Sequence, residues 1–108
     1  MDKQAIKKGK TLAIVSYFTF IGLIIALFSN LEKKNPFVFF HCRQMLGLII
    51  MLIASNVIEK YIHSWTGTVL GTITLVAWIF GLVTAIQGKA QPLPLIGDQF
   101  QHWFKNLQ

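Results

Sequence analysis

The chain reads as an all-α integral membrane protein, a single domain over residues 1–108, with three transmembrane helices and a short C-terminal interfacial amphipathic helix. Three observations predict this. More than half of the 108 residues are apolar and the mean hydropathy is +0.56; so short a chain buries only a modest share of its surface, so lipid is the expected solvent for the rest. Three apolar runs, at about 11–29, 37–62 and 66–88, match the length needed to cross a hydrocarbon core. The basic residues, which give a formal net charge of +6, sit mostly at the ends of those runs, where anionic headgroups would meet them.

Each run has its own signals. The first, "TLAIVSYFTFIGLIIALFS" (11–29), carries no charge. It follows a lysine-rich start, but its length and the lack of a small-x-small cleavage site argue for retention rather than removal as a signal peptide. The second is introduced by "NPF", with Pro36 near the first helical turn. "HSWTG" is a short connection, so the second and third runs form an antiparallel hairpin. Unpaired backbone is costly in lipid, which makes each run a helix. Pro92 and Pro94 prevent the third helix from continuing. Asp98 can then cap a last helix over 98–107, with Phe100, Trp103, Phe104 and Leu107 on one face. That helix suits the headgroup region and packing on the protein's own helices equally well.

Successive steps of 100° place His41, Gln44, Leu48, Leu52, Ser55, Asn56 and Glu59 in one stripe of the second span, with Arg43 on the far side. Lipid cannot hydrogen-bond such groups, so the stripe should face protein or a wet cavity. On the third span Gly67, Gly71, Thr74, Gly81, Ala85 and Gly88 form a seam of small residues suited to close helix packing, interrupted by Trp78. The intramembrane polar residues Ser55, Asn56 and Glu59 then have two readings. They glue helices together, bonding to Thr74 or to a backbone carbonyl, or they line a hydrophilic path or docking surface. At the interface end His41 and Gln44 turn inward, toward the first helix or the segment after the third. Arg43 can snorkel to headgroup phosphates.

Neither catalysis nor a cofactor is expected. His41 and Cys42 are adjacent and point about 100° apart, and His63 and His102 have no ligand spacing, so no metal site is assembled. The carboxylates lie near ends or loops, and no nucleophile–base set exists. Cys42, the single cysteine, reads as a small apolar filler. No basic stripe with interleaved aromatics points to nucleic acid.

Two stretches carry a family resemblance. "KKNPFVFFHCRQMLGLII" and "GKAQPLPLIGDQF" resemble the helix-opening and closing motifs of the small preprotein-import component of the chloroplast inner envelope (the Tic translocon) and its bacterial relatives. Phe40, His41, Arg43 and Gln44 match the first motif; Pro92, Leu93, Pro94 and Leu95 match the second. The resemblance implies a non-enzymatic, multi-pass, translocon-type subunit or docking platform in a bacterial inner membrane. Its partners would be the lipid bilayer and a protein, or further copies of itself. Three spans stand where the plastid protein has four, so an autonomous pore is not expected. A small-solute transporter or channel subunit, with the polar face of the second span lining the path, is the alternative. Three spans would put five basic residues on each side, so the positive-inside rule favours neither orientation. The resemblance then favours a cytoplasmic position for His41, Arg43 and residues 92–95, with the N-terminal lysines outside.

Overall fold

A computed structural model describes residues 3–90 and 97–105. Five helices follow one another: α1 (Lys3–Val15), α2 (Phe20–Lys33), α3 (Pro36–Tyr61), α4 (Ser64–Ile86) and α5 (Gly97–Trp103). The molecule is an elongated bundle, 45 Å long and 23 Å across.

Among the described residues, α3 and α4 are the two helices long and apolar enough to cross a membrane. At 1.5 Å per residue they reach about 39 and 35 Å, beyond a hydrocarbon core of about 30 Å. Asn35 caps α3, accepting from the backbone N–H groups of Phe37 and Val38 with Pro36 in the first turn. His63 caps α4 by accepting from the Thr66 N–H. The connection between them is Ile62–His63 alone, so the helices lie antiparallel, as the short connection implied.

The first expected span is not one helix. The run 11–29 is divided at Ser16–Thr19, and the chain reverses there. α1 ends in tightened turns, with the N–H groups of Tyr17 and Phe18 bonding to the carbonyls of Ile14 and Val15. Thr19, in extended conformation, caps α2 through its hydroxyl, which accepts from the Gly22 N–H. A Cβ on Gly22 would strike the Val15 carbonyl, so the two helices can close on each other only with glycine there. α1 and α2 each reach about 20 Å, too short to cross.

The contacts place both ends of this pair at one end of the bundle. The Asn35 amide, just after α2, donates to the Ala5 carbonyl near the start of α1 at 2.8 Å. The Gly88 backbone, just after α4, lies against Ile6. The reversal itself meets the middle of α3 and α4: Phe18, Thr19 and Phe20 line an apolar groove of about 420 Å³ with Leu48, Leu52 and Trp78. α1 and α2 therefore form a hairpin whose two ends lie together at one end of the bundle and whose tip reaches the middle of α3 and α4. A second corner holds it there. Asn30, fully buried, exchanges bonds with Asn35: its amide donates to the Asn35 carbonyl and its carbonyl oxygen accepts from the Asn35 N–H, both at 3.0 Å. Lys34 between them takes the left-handed conformation at φ 48° and donates to the Asn30 carbonyl.

The small-residue seam of α4 serves two partners. Gly67 rests on the α3 backbone at Glu59, and Gly71 faces Ser55. Gly81 meets the Tyr17 ring instead, and Gly88 meets Ile6. The expectation of one continuous α3–α4 seam is corrected accordingly, because the α1–α2 hairpin inserts beside the upper half of α4. Thr74 and Ala85 are buried.

Two measurements check this architecture. In a Cys42→Ser background, cysteines at Lys7 and Lys34 should label from one membrane side and a cysteine at Tyr61 from the other. Labelling of Lys7 and Lys34 positions from opposite sides would mean that the first run crosses. For packing, Gly67→Ala should lower thermal stability in detergent by about 1–3 kcal/mol, since a Cβ there overlaps the Glu59 backbone. Gly71→Ala meets only ordinary contacts with Ser55, at 3.5 and 3.9 Å, and should be close to neutral.

Candidate functional site

The polar groups of α3 near its start are gathered around the hairpin apex. His41 and Gln44 are fully buried, and so are Ser16 and Tyr17 at the apex. The His41 Nε2 lies 2.9 Å from the Lys89 carbonyl, which can only accept, so this nitrogen carries the proton. Nδ1 is then an acceptor, and the Tyr17 hydroxyl donates to it at 2.7 Å. The Tyr17 oxygen in turn accepts from Gln44 Nε2 at 3.2 Å. The result is one directed chain from Gln44 through Tyr17 and His41 to the backbone just after α4.

Aromatic rings close the chain off from lipid. Phe37, Phe40 and Tyr17 all meet the His41 ring edge-on, with centroids 4.7 to 5.4 Å away. Trp78 donates its indole N–H to the Tyr17 carbonyl at 2.6 Å. The residue that interrupts the small seam is thus the one that satisfies the apex backbone. Cys42 is fully buried beside the Ser16 hydroxyl.

Arg43 leaves α3 on the opposite side and does not simply reach outward, as snorkelling would have it. Its Nε donates to Gln101 Oε1 of α5 at 2.6 Å, and Gln101 Nε2 donates back to the Phe40 carbonyl at 2.9 Å. Phe100, buried, lies against Gly47, where a Cβ would overlap its ring. α5 therefore packs on α3, one of the two roles foreseen for this helix, while Trp103 stays exposed. Pro92, Leu93, Pro94 and Leu95 lie outside the described residues, as does Leu107.

The deeper polar residues do not join this cluster. Ser55 and Asn56 both donate to the Leu52 carbonyl of their own helix, at 2.7 and 3.1 Å. Thr74 donates to its own Leu70 carbonyl. No bond from these residues crosses to the other helix among the described residues, and Asn56 and Glu59 are exposed. Leu48 and Leu52 separate Gln44 from Ser55 along the face, so the stripe is not a continuous polar path. An α-helix offers Ser, Thr and Asn a carbonyl one turn back, and in apolar surroundings that local bond is sufficient.

Sequence reasoning identified His41, Gln44 and Arg43 and turned the first two toward the first run and the segment after the third, where Tyr17 and Lys89 meet them, but it did not name those residues. Tyr17, Trp78, Asn30 and Asn35 were missed. The signals were weak: a Ser-Tyr-Phe-Thr break with Gly22 three residues on, and two asparagines five apart before a proline.

Two membrane-length apolar helices, with bulky apolar side chains such as Phe28, Ile53, Leu75 and Val76 exposed along the bundle, define a helical membrane protein. The comparison with known proteins agrees at that level. The chain is 31% identical over 93 residues to the UPF0132 membrane protein MJ1527 of Methanocaldococcus jannaschii, a match that takes in 83% of this chain and 64% of that protein. The chain thus spans a little under two thirds of its relative's length. No family model matches the chain, and no solved structure matches it. The import-component resemblance consequently stands on its two motifs alone.

The hydrogen-bond chain makes a specific demand. Tyr17→Phe keeps the ring but removes the proton that His41 Nδ1 accepts and the oxygen that Gln44 bonds. It should cost about 1–3 kcal/mol in thermal unfolding, through buried groups left unsatisfied. A double-mutant cycle with Gln44→Leu should show coupling of about 0.5 kcal/mol or more; strict additivity would mean that the chain is not a unit.

Proposed function

We propose that this protein is a non-enzymatic docking subunit of a cytoplasmic membrane, with its basic end as the working face on the cytoplasmic side. One observation carries the reading. With α1 and α2 returning to the same end, nine of the ten lysines and arginines, all but Lys60, belong to elements at that end. The five-to-five tie expected for three spans disappears, and the positive-inside rule favours this end as the cytoplasmic one. His41 and Arg43 keep the side that the motif resemblance favoured. The N-terminal lysines join them there rather than standing outside.

The architecture supports docking rather than conduction. Two crossing helices and a half-depth hairpin enclose no channel, so any translocation role needs partners or further copies. The same end gathers the His41 chain and the α5 dock at Arg43, while Trp103 and His102 remain exposed beside it. The motif resemblance makes a protein of the translocation type the favoured partner. The solute-path alternative has less support, because Leu48 and Leu52 break the polar face and the groove beneath the apex is apolar.

Site-specific photo-crosslinking in native membranes tests the proposal. A crosslinker replacing Trp103 should capture a defined partner protein, and one replacing Tyr61 at the other end should not. Capture of nothing but copies of this chain at both positions, together with solute flux in liposomes, would favour the alternative instead.

A further inference from the structure

Between α1 and the C-terminal end of α4 lies a crevice of about 350 Å³ lined by Lys3, Ile6, Lys7, Lys10, Gln87 and Gly88. Lysines at 3, 7 and 10 recur at helical spacings of four and three, so they share one face of α1 and extend about 10 Å along it. Among the described residues, no carboxylate lines the crevice. Among the described residues none of the three lysines has an ion-pair partner, although like charges one turn apart repel each other. Ile6 forms an apolar floor, packed where Gly88 has no side chain. Lysines over an apolar floor form a surface for an amphiphile: cations for its head, hydrocarbon for its tail.

We infer that this crevice is a binding site for the headgroup of an anionic phospholipid of the leaflet that the α1–α2 hairpin enters. α1 begins the half-depth hairpin, so its lysines stand at headgroup level while its later residues Ala13 and Ile14 lie within the apolar bundle. A phosphate between Lys3, Lys7 and Lys10 relieves their mutual repulsion and fixes α1 against α4. The acyl chains of the same lipid follow the exposed apolar surface of the bundle inward. A free phosphate ion satisfies the lysines alone and makes no use of the apolar floor. The lipid thereby acts as a strut for the hairpin, whose shortness leaves it without a second membrane surface to anchor on.

The test uses the full chain in nanodiscs of phosphatidylcholine, alone or mixed with phosphatidylglycerol. Bound lipid is read by native mass spectrometry and stability by thermal unfolding. The wild type should retain phosphatidylglycerol in preference to phosphatidylcholine and unfold at higher temperature in the mixed discs. The Lys3→Gln/Lys7→Gln/Lys10→Gln variant should lose that preference, by roughly fivefold per lysine, and lose the thermal gain. The Lys33→Gln/Lys34→Gln/Lys105→Gln variant, with the same charge change at the same membrane face, should keep both. Equal loss in both variants would reduce the effect to a diffuse surface potential and overturn the site. So would an equal drop in stability in the two lipids, which would assign the lysines to the α4 helix end. Displacement of the lipid by inorganic phosphate would show that the crevice recognises the free ion and would overturn the lipid assignment.

Discussion

A chain that turns back against the middle of two long apolar helices must satisfy the backbone of its turn. That constraint is met here by the hydrogen bonds around Tyr17, and the rest of the bundle is arranged to supply them. The Tyr17 carbonyl would be open where the helix stops, and Trp78 of α4 donates to it. The Tyr17 hydroxyl sits between Gln44 and His41, and His41 passes the connection to the backbone after α4. Irregular backbone at this depth is tolerated only where protein encloses it. Ser16 and Tyr17 at the apex meet that condition by full burial, while Phe18 and Thr19, which complete the turn, are exposed along the apolar groove.

The small residues follow from the same demand. Gly81 clears space for the Tyr17 ring, Gly22 lets α2 close over the last carbonyls of α1, and Gly88 admits Ile6. Only Gly67 and Gly71 act as the sequence pattern alone suggests, by bringing α4 near α3. The Asn30–Asn35 exchange does at the end of the bundle what Tyr17 does at its middle. It satisfies a corner and, through Ala5, ties the start of the hairpin to its end.

Topology then decides the electrostatics. The same lysines would lie at both ends of the bundle if the first run were one continuous helix, and they collect at one end because it reverses. Their mutual repulsion is the cost of this arrangement, and anions at the membrane surface offset it. α5 sits on the same face, held by the pairing of Arg43 with Gln101 and by the Phe100 ring against Gly47. The far end carries little besides the α3–α4 turn.

Composition and periodicity by themselves determined the helical class, the two long apolar helices α3 and α4, and the short last helix, and they read the first run as a third span. Hydropathy over twenty residues is a property of local sequence and needs no partner to be read. The inward face of His41 and Gln44 was legible for a similar reason, since helical periodicity places neighbours on a face whatever lies opposite. The break at Ser16–Thr19 was barely legible, because "SYFT" carries no charge, proline or glycine and is compatible with a helix. Only the tertiary structure decided that this run reverses. The energy that favours reversal lies in partners 24 to 61 residues away in the chain: His41, Gln44 and Trp78. Ser55, Asn56 and Thr74 show the converse. Their pattern suggested bonds between helices, yet each found a carbonyl on its own helix, and the choice between equivalent acceptors depended on the distance and orientation of the opposing helix.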